Sequence, residues 1–229
     1  MSNRRRFLLG LLLLAFFPWT EAGELNAVTR GEANQALRES LEKSARAALA
    51  KLGKENGFFA DPRVKIGLPK NFRKADRVLR GLGQGRKVDD LILAMNRAAE
   101  AALPLLREPL GEAVRKLTPA DAQTILASGD GAVTRYFRES SEARLSEQLS
   151  PIIRSVSEKS GLTRAYDELA KKLVALAGIK SELSTVEAYV NKQALDGLYA
   201  QMAEEERDLR ANPGQYAGSP LGKVFGLLK

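Results

Sequence analysis

Apolar residues recur every three or four positions along most of the chain, and residues 29–52 are the clearest case. Because an α-helix turns every 3.6 residues, this spacing gathers the apolar side chains on one face. Thr29 is followed three residues later by Glu32, the pattern of a capping box, and Gly53 marks the end. The segment is predicted to form an amphipathic helix with this inward face: Leu37, Leu41, Ala45, Ala48, Leu49 and Leu52.

The same periodicity predicts helices through most of the remaining sequence. They cover about residues 70–82, 88–117 with breaks at Pro104 and Pro109, 118–127, 133–149, 151–160, 162–177, 186–209 and a tail from 219. Thr118 is predicted to cap its short helix, with Pro119 in the first position. Pro151 is predicted to open a separate helix, because proline interrupts helical hydrogen bonding. The tail is expected to dock on the body of the protein.

One stretch breaks the helical pattern. Residues 53–69 are rich in turn formers, and only Val64, Ile66 and Leu68 alternate as in a strand. An ordered loop near residues 53–69 is predicted, held in the core by Phe58, Phe59 and Leu68. With no Pro- or Ser-rich linker and no internal repeat, the expected fold is all-α: one compact, multi-helix, bundle-like domain over residues 23–229.

The first 22 residues have the pattern of a signal peptide. Three arginines at 4–6 precede an apolar run over 7–17, then Pro18 and small residues suited to cleavage before Gly23. The run is short for a membrane span, although an uncleaved anchor is the alternative. Arg4-Arg5-Arg6-Phe7-Leu8 also fits the twin-arginine pattern. Export to the periplasm is therefore expected, by either the secretory or the twin-arginine route.

Composition narrows the chemistry available to the protein. The chain contains no cysteine and no histidine, which excludes disulfides, thiolate metal sites and the usual general base near neutral pH. Ser40 and Lys43 match S-x-x-K, but no K-T-G follows, so a solvated helix face is the simpler interpretation. The sequence indicates no cofactor and no structural metal, and export makes nucleic acid an unsuitable partner.

Charge is distributed very unevenly. Residues 63–87 carry nine basic residues and one acid, Asp76, a net charge of +8, while residues 187–210 carry six acids and three bases, a net charge of −3. The two segments are expected either to pair with each other or to leave a basic ridge exposed for an anionic partner. The candidate residues of that ridge, and of an anion site beside the Gly81–Gly85 turn, are Arg73, Arg77, Arg80, Arg86 and Lys87.

A second candidate site is polar. Asn96 and Glu100 lie four residues apart on one helical face, with Arg97 between them. Asp196 stands beside Gly197, a mid-helix glycine that suggests close helix approach. These residues are expected either to form a polar pocket between two helices or to pair internally, with Arg97 bound to Asp196 or Glu204.

At these segments the chain resembles an uncharacterised bacterial family of exported proteins, domain of unknown function 4197. The matching stretches are Gly57-Phe58, Pro62-Arg63-Val64-Lys65-Ile66, Leu68-Pro69, Asp89-Asp90-Leu91 with Met95-Asn96-Arg97-Ala98-Ala99-Glu100, Asp121-Ala122 with Ile125-Leu126, Thr134-Arg135-Tyr136-Phe137, Tyr189-Val190 with Ala194-Leu195-Asp196-Gly197-Leu198, and Lys223-Val224-Phe225-Gly226. The chain departs from the family at Ser128-Gly129-Asp130 and at Gly222. The resemblance implies an exported helical protein and supplies no activity, ligand or catalytic residue.

Three functions follow from these observations. The preferred hypothesis is a non-enzymatic envelope protein that binds an anionic or amphipathic partner through residues 63–87, the partner being an anionic lipid, an envelope polymer or a protein. The second is an enzyme with a carboxylate and arginine site at Asn96, Arg97, Glu100 and Asp196. The third is a helical assembly protein.

Overall fold

The computed structural model describes residues 28–177 and 185–228, with the side chains of 71, 73–75 and 173–177 left aside. Within these ranges the chain is helical and has no strand, so the predicted all-α class is confirmed. The helices are α1 (Arg30–Leu52), α2 (Arg73–Gly81), α3 (Gly85–Ala102), α4 (Arg107–Lys116), α5 (Ala122–Ala127), α6 (Ala132–Ser160), α7 (Leu162–Ala177), α8 (Val186–Ala211) and α9 (Pro220–Leu227). The predicted signal peptide lies outside the described residues.

The first helix forms as its sequence predicts. The Glu32 amide donates to Thr29 Oγ1 at 3.2 Å, and the Thr29 amide donates to Glu32 Oε2 at 2.9 Å. These two bonds satisfy donors that would otherwise be unpaired at the helix start. Gly53 ends the helix, and the face that includes Leu37 and Leu41 is fully buried.

Two predicted helix boundaries are wrong. Asp121, not Thr118, caps α5, because its carboxylate accepts the Thr124 amide at 3.0 Å. Pro151 lies inside α6, which runs unbroken for 29 residues. The buried side chains Leu149 and Ile153 keep the same spacing on both sides of the exposed proline, so continuous packing outweighs the lost hydrogen bond.

Helix α8 forms the centre of the bundle, where it packs against both α1 and α6. Helix α3 packs against α6, and α9 packs against α1. The predicted docking of the tail is confirmed, since Leu221, Val224 and Phe225 are buried. None of the helices in the described ranges is long and apolar enough to span a bilayer.

The predicted loop between Leu52 and Lys70 is present and is anchored on the bundle. Phe58 and Ile66 are fully buried, whereas Phe59, expected in the core, is half-exposed with Lys65 Nζ 4.0 Å from its ring centre. The mid-helix Gly197 faces this loop rather than another helix. A Cβ at Gly197 would lie 2.6 Å from Phe58 Cε1, so glycine makes room for the ring.

Candidate functional site

The most distinctive surface lies where α2 turns into α3. The Gln84 amide donates to the Leu79 carbonyl at 2.8 Å, and the Gly83 amide donates to the Arg80 carbonyl at 3.1 Å. This pair of bonds, with Gly83 at φ 74°, is a Schellman motif. The chain therefore reverses within a few residues, and the end of α2 lies next to the start of α3.

Buried residues on both sides of the turn anchor it to the rest of the protein. Leu79 near the end of α2 and Val88 near the start of α3 are both buried. Lys172 of α7 donates to Gln84 Oε1 at 3.1 Å, which ties the turn itself to a third helix. The backbone that carries the outward side chains is consequently anchored to the body of the protein.

Replacing Gly83 with alanine is expected to destabilise the protein by about 1 kcal/mol, because an L-residue is strained at positive φ. Nothing lies within 4 Å of the added Cβ, so the effect comes from the backbone alone. Urea unfolding measures it. Gly81→Ala is the control, since Gly81 is helical and equally open; a loss there as large as at Gly83 would contradict the argument.

Three cations of the predicted set project from this turn. Arg77, Arg86 and Lys87 are exposed, and no carboxylate in the described ranges forms an ion pair with any of them. Two aliphatic side chains of the same segment are also exposed, Val78 at 46% and Leu82 at 57%. We call these five residues the basic tip.

Other cations of the segment are paired within the protein. Arg80 contacts Asp76 at 2.7 Å and Asp89 at 2.6 Å, and the bond from its guanidinium holds the pKa of Asp89 below its ordinary value. Arg63 pairs with Asp61 and with Glu204 of the acidic helix α8. In the described part of the chain the segment therefore carries both paired cations and cations without an ion pair, and the expected binding of an anionic partner stays a prediction.

The predicted ridge of Arg73, Arg77 and Arg80 is not uniform. Arg77 forms no ion pair with a described residue, Arg80 is bound by two carboxylates, and the Arg73 side chain lies outside the described residues. Sequence alone did not separate the free cations from the paired ones, because they alternate along the same segment.

The predicted polar pair on α3 anchors the loop. Asn96 Oδ1 accepts the Ile66 amide at 2.9 Å, and Asn96 Nδ2 donates to the Ile66 carbonyl at 2.8 Å. Glu100 Oε1 accepts the amides of Phe58 and Phe59, each at 3.0 Å. Both side chains are buried, and both satisfy backbone groups that an irregular loop leaves without partners.

The expected pocket with Asp196 does not form. Arg97 binds Glu100 at 2.5 Å and Glu55 at 3.1 Å, rather than Asp196 or Glu204. Asp196 instead accepts from Arg138 at 2.5 Å and from Lys192 at 2.7 Å.

The environment of Asp196 is that of a paired carboxylate. Burial raises the pKa of Asp196, but the hydrogen bonds from Lys192 and Arg138 outweigh burial and hold it below the ordinary value. Asn96, Arg97, Glu100 and Asp196 thus work as two separate structural contacts. A shared acid and base site would need them to converge.

Sequence reasoning missed one buried carboxylate, Glu206 of α8. It accepts the Thr134 amide and the Thr134 hydroxyl, each at 2.8 Å, and pairs with Arg210 at 3.0 Å. The N-cap of α6 is Gly131, which has no side chain to offer, so α8 supplies the cap. The glycine at the start of α6 was the one sequence signal that a cap must come from elsewhere. Nothing in the Glu204-Glu205-Glu206 run indicated that Glu206 would be the buried member.

Other candidate chemistry receives no support. Ser40 of the S-x-x-K pattern is fully buried on α1, so the interpretation as a solvated helix face is wrong for Ser40. In the part of the chain that the structure describes, no group of acidic side chains is arranged to hold a metal ion.

A family model described as "Protein of unknown function (DUF4197)" matches residues 27–226. No curated protein and no solved structure matches the chain.

Proposed function

Because this chain belongs to the family described as a protein of unknown function (DUF4197), which carries no activity over to it, we propose a function from surface chemistry: the protein binds an anionic partner through the basic tip. The observation that supports this most directly is the exposure of Arg77, Arg86 and Lys87 without carboxylate partners in the described ranges. No catalytic step is part of the proposal.

Stability of the protein does not account for these cations. Helix α3 begins at Gly85, so Arg86 and Lys87 occupy its first turn, where no acid is present. The helix dipole is positive at this end and disfavours cations there. Asp89 lies one turn later in α3 and binds Arg80. An anion at the tip would offset both the dipole and the mutual repulsion.

The setting of the partner follows from the N-terminal sequence. Arg4 to Arg6 and the apolar run over 7–17 support export to the cell envelope. Phospholipid headgroups and envelope polymers present dense negative charge there. We propose that the basic tip recognises such a surface rather than a nucleic acid.

The proposal predicts that the triple variant R77E/R86E/K87E loses binding to anionic partners. Its affinity for phosphatidylglycerol vesicles is expected to fall at least roughly hundredfold, because each of the three basic residues contributes about 1 kcal/mol near an anionic surface, which is roughly a fivefold step. Binding to soluble polyphosphate is also expected to fall, and wild-type binding to weaken as salt is raised. Vesicle sedimentation measures the binding to lipid, titration measures the binding to polyphosphate, and each is done at two salt concentrations.

A matched control separates the tip from overall charge. R46E/R107E/R115E reverses three other exposed arginines, which likewise form no ion pair in the described part of the chain. Each triple lowers the formal net charge from +8 to +2, because each reversal subtracts two. The control is expected to lose only a small part of the binding. Equal losses in the two triples, or binding insensitive to salt, would overturn the proposal.

A further inference from the structure

The basic tip carries apolar surface as well as charge. Three large hydrophobic side chains are strongly exposed in the described ranges: Val78 at 46%, Leu82 at 57% and Leu105 at 60%. Two of them lie at the tip, four positions apart, on one side of the end of α2. Single exposed aliphatic residues are ordinary, but a pair within residues 77–87, which also carry three cations without ion pairs in the described ranges, is a specific arrangement.

Resting on the proposed function, we propose that the anionic partner is a phospholipid bilayer, with Val78 and Leu82 inserted among its headgroups and upper acyl chains. Arg77, Arg86 and Lys87 then contact the lipid phosphates around them. A hydrated polymer supplies negative charge but no apolar layer, so it uses only half of this surface. A bilayer interface supplies both within a few ångströms.

The fold supports insertion because hydrogen bonds close the turn of the tip and Leu82 is exposed there. The Schellman turn at Gly83 leaves Leu82 facing water, while Leu79 on the same helix is buried in the body. The bond from Lys172 to Gln84 keeps the turn in place. Little backbone freedom of the turn is lost on binding, so the apolar contact contributes more of its free energy to affinity.

A serine pair tests the apolar part separately from the charge. V78S/L82S is expected to weaken binding to phosphatidylglycerol vesicles by roughly tenfold or more, because it removes most of the apolar area available for insertion. Its affinity for soluble polyphosphate is expected to stay within a factor of about two, since all three cations remain. Because both side chains are exposed, the variant is expected to fold like the wild type. Thermal unfolding of the variant checks this.

Leu105 provides the matched control. It lies just beyond the far end of α3, an 18-residue helix about 27 Å long, and is as exposed as Leu82. L105S is expected to leave vesicle binding unchanged. If V78S/L82S binds vesicles like the wild type, or if L105S loses as much, bilayer insertion is overturned while the proposed anion binding stands. Failure of the proposed function itself would be seen separately: R77E/R86E/K87E would bind polyphosphate as tightly as the wild type.

A tryptophan reporter gives a direct readout of insertion. Trp19 is the single tryptophan in the chain, so L82W in a W19F background places one fluorophore at the tip. Its emission is expected to shift to the blue on phosphatidylglycerol vesicles, whereas L105W is expected not to shift. Unshifted emission of vesicle-bound L82W would overturn the inference and leave surface attraction by charge alone.

The form of the protein matters in these measurements. Residues 7–17 are apolar and would themselves bind vesicles. The protein is therefore purified as the cell accumulates it, with its N-terminus read by mass spectrometry, and every variant is compared in that same form.

Discussion

Replacing Glu206 with alanine is expected to lower the free energy of unfolding by about 3–5 kcal/mol, the typical cost of breaking a buried ion pair from one side. Glu206 is fully buried, and its loss leaves the Arg210 guanidinium, itself mostly buried, without its carboxylate. The Thr134 amide and hydroxyl lose their acceptor as well. The first turn of α6 then has no cap, because Gly131 supplies none.

Urea denaturation followed by circular dichroism measures this loss. Glu205→Ala is the control, because the neighbouring carboxylate is half-buried and accepts one bond, from Gln201. It is expected to cost at most about 1 kcal/mol. Glu206→Gln keeps an acceptor for Thr134 but removes the charge, so an intermediate loss is expected. Comparable stability of the Glu205 and Glu206 alanine variants would show that α6 does not depend on this cap.

Glu100→Ala is expected to have the second largest effect, a loss of about 2–4 kcal/mol. The substitution leaves the buried Phe58 amide and the half-buried Phe59 amide without an acceptor, and it removes the carboxylate nearest to Arg97. Hydrogen exchange is expected to rise at these two amides before it rises in the helices, because the loop opens first.

Glu55→Ala is the control for this prediction. Glu55 also pairs with Arg97, at 3.1 Å, but is exposed, so its loss is expected to cost less than about 1 kcal/mol. Equal stability of the two variants would mean that the loop does not depend on Glu100 and is held by the Asn96 hydrogen bonds and by packing of Phe58 and Ile66. The experiment also bears on the enzyme hypothesis, since a carboxylate that holds backbone amides is committed to structure.

The parts of the fold that sequence predicts are those whose chemistry is local. Thr29 and Glu32 lie in one turn, and Gly161 ends α6 at positive φ, so both boundaries are readable from the sequence. Pro151 shows the limit of such rules, because a local signal for a break competes with a buried stripe that continues past it. The packing of α6 against helices distant in sequence, among them α8 and α3, decides the outcome.

The candidate site is less predictable because it depends on partners distant in sequence. Arg63 and Arg77 are equivalent as members of one basic segment, yet Arg63 meets Glu204, which is 141 residues away. Asn96 and Glu100 are correctly predicted to share a face, but what they face is a loop backbone rather than a substrate. The exposure of Val78 and Leu82 has no sequence signal of its own, because Leu79 between them is buried.

One short stretch of α8 joins segments from opposite halves of the chain. Glu204 reaches back to Arg63, and Glu206, one half-turn later, receives Thr134 of α6. Further along α8 towards its start, Gly197 receives the ring of Phe58. A disturbance of this helix therefore releases the loop and α6 together, and we expect the two to melt in a single cooperative transition, with no stable half-folded form.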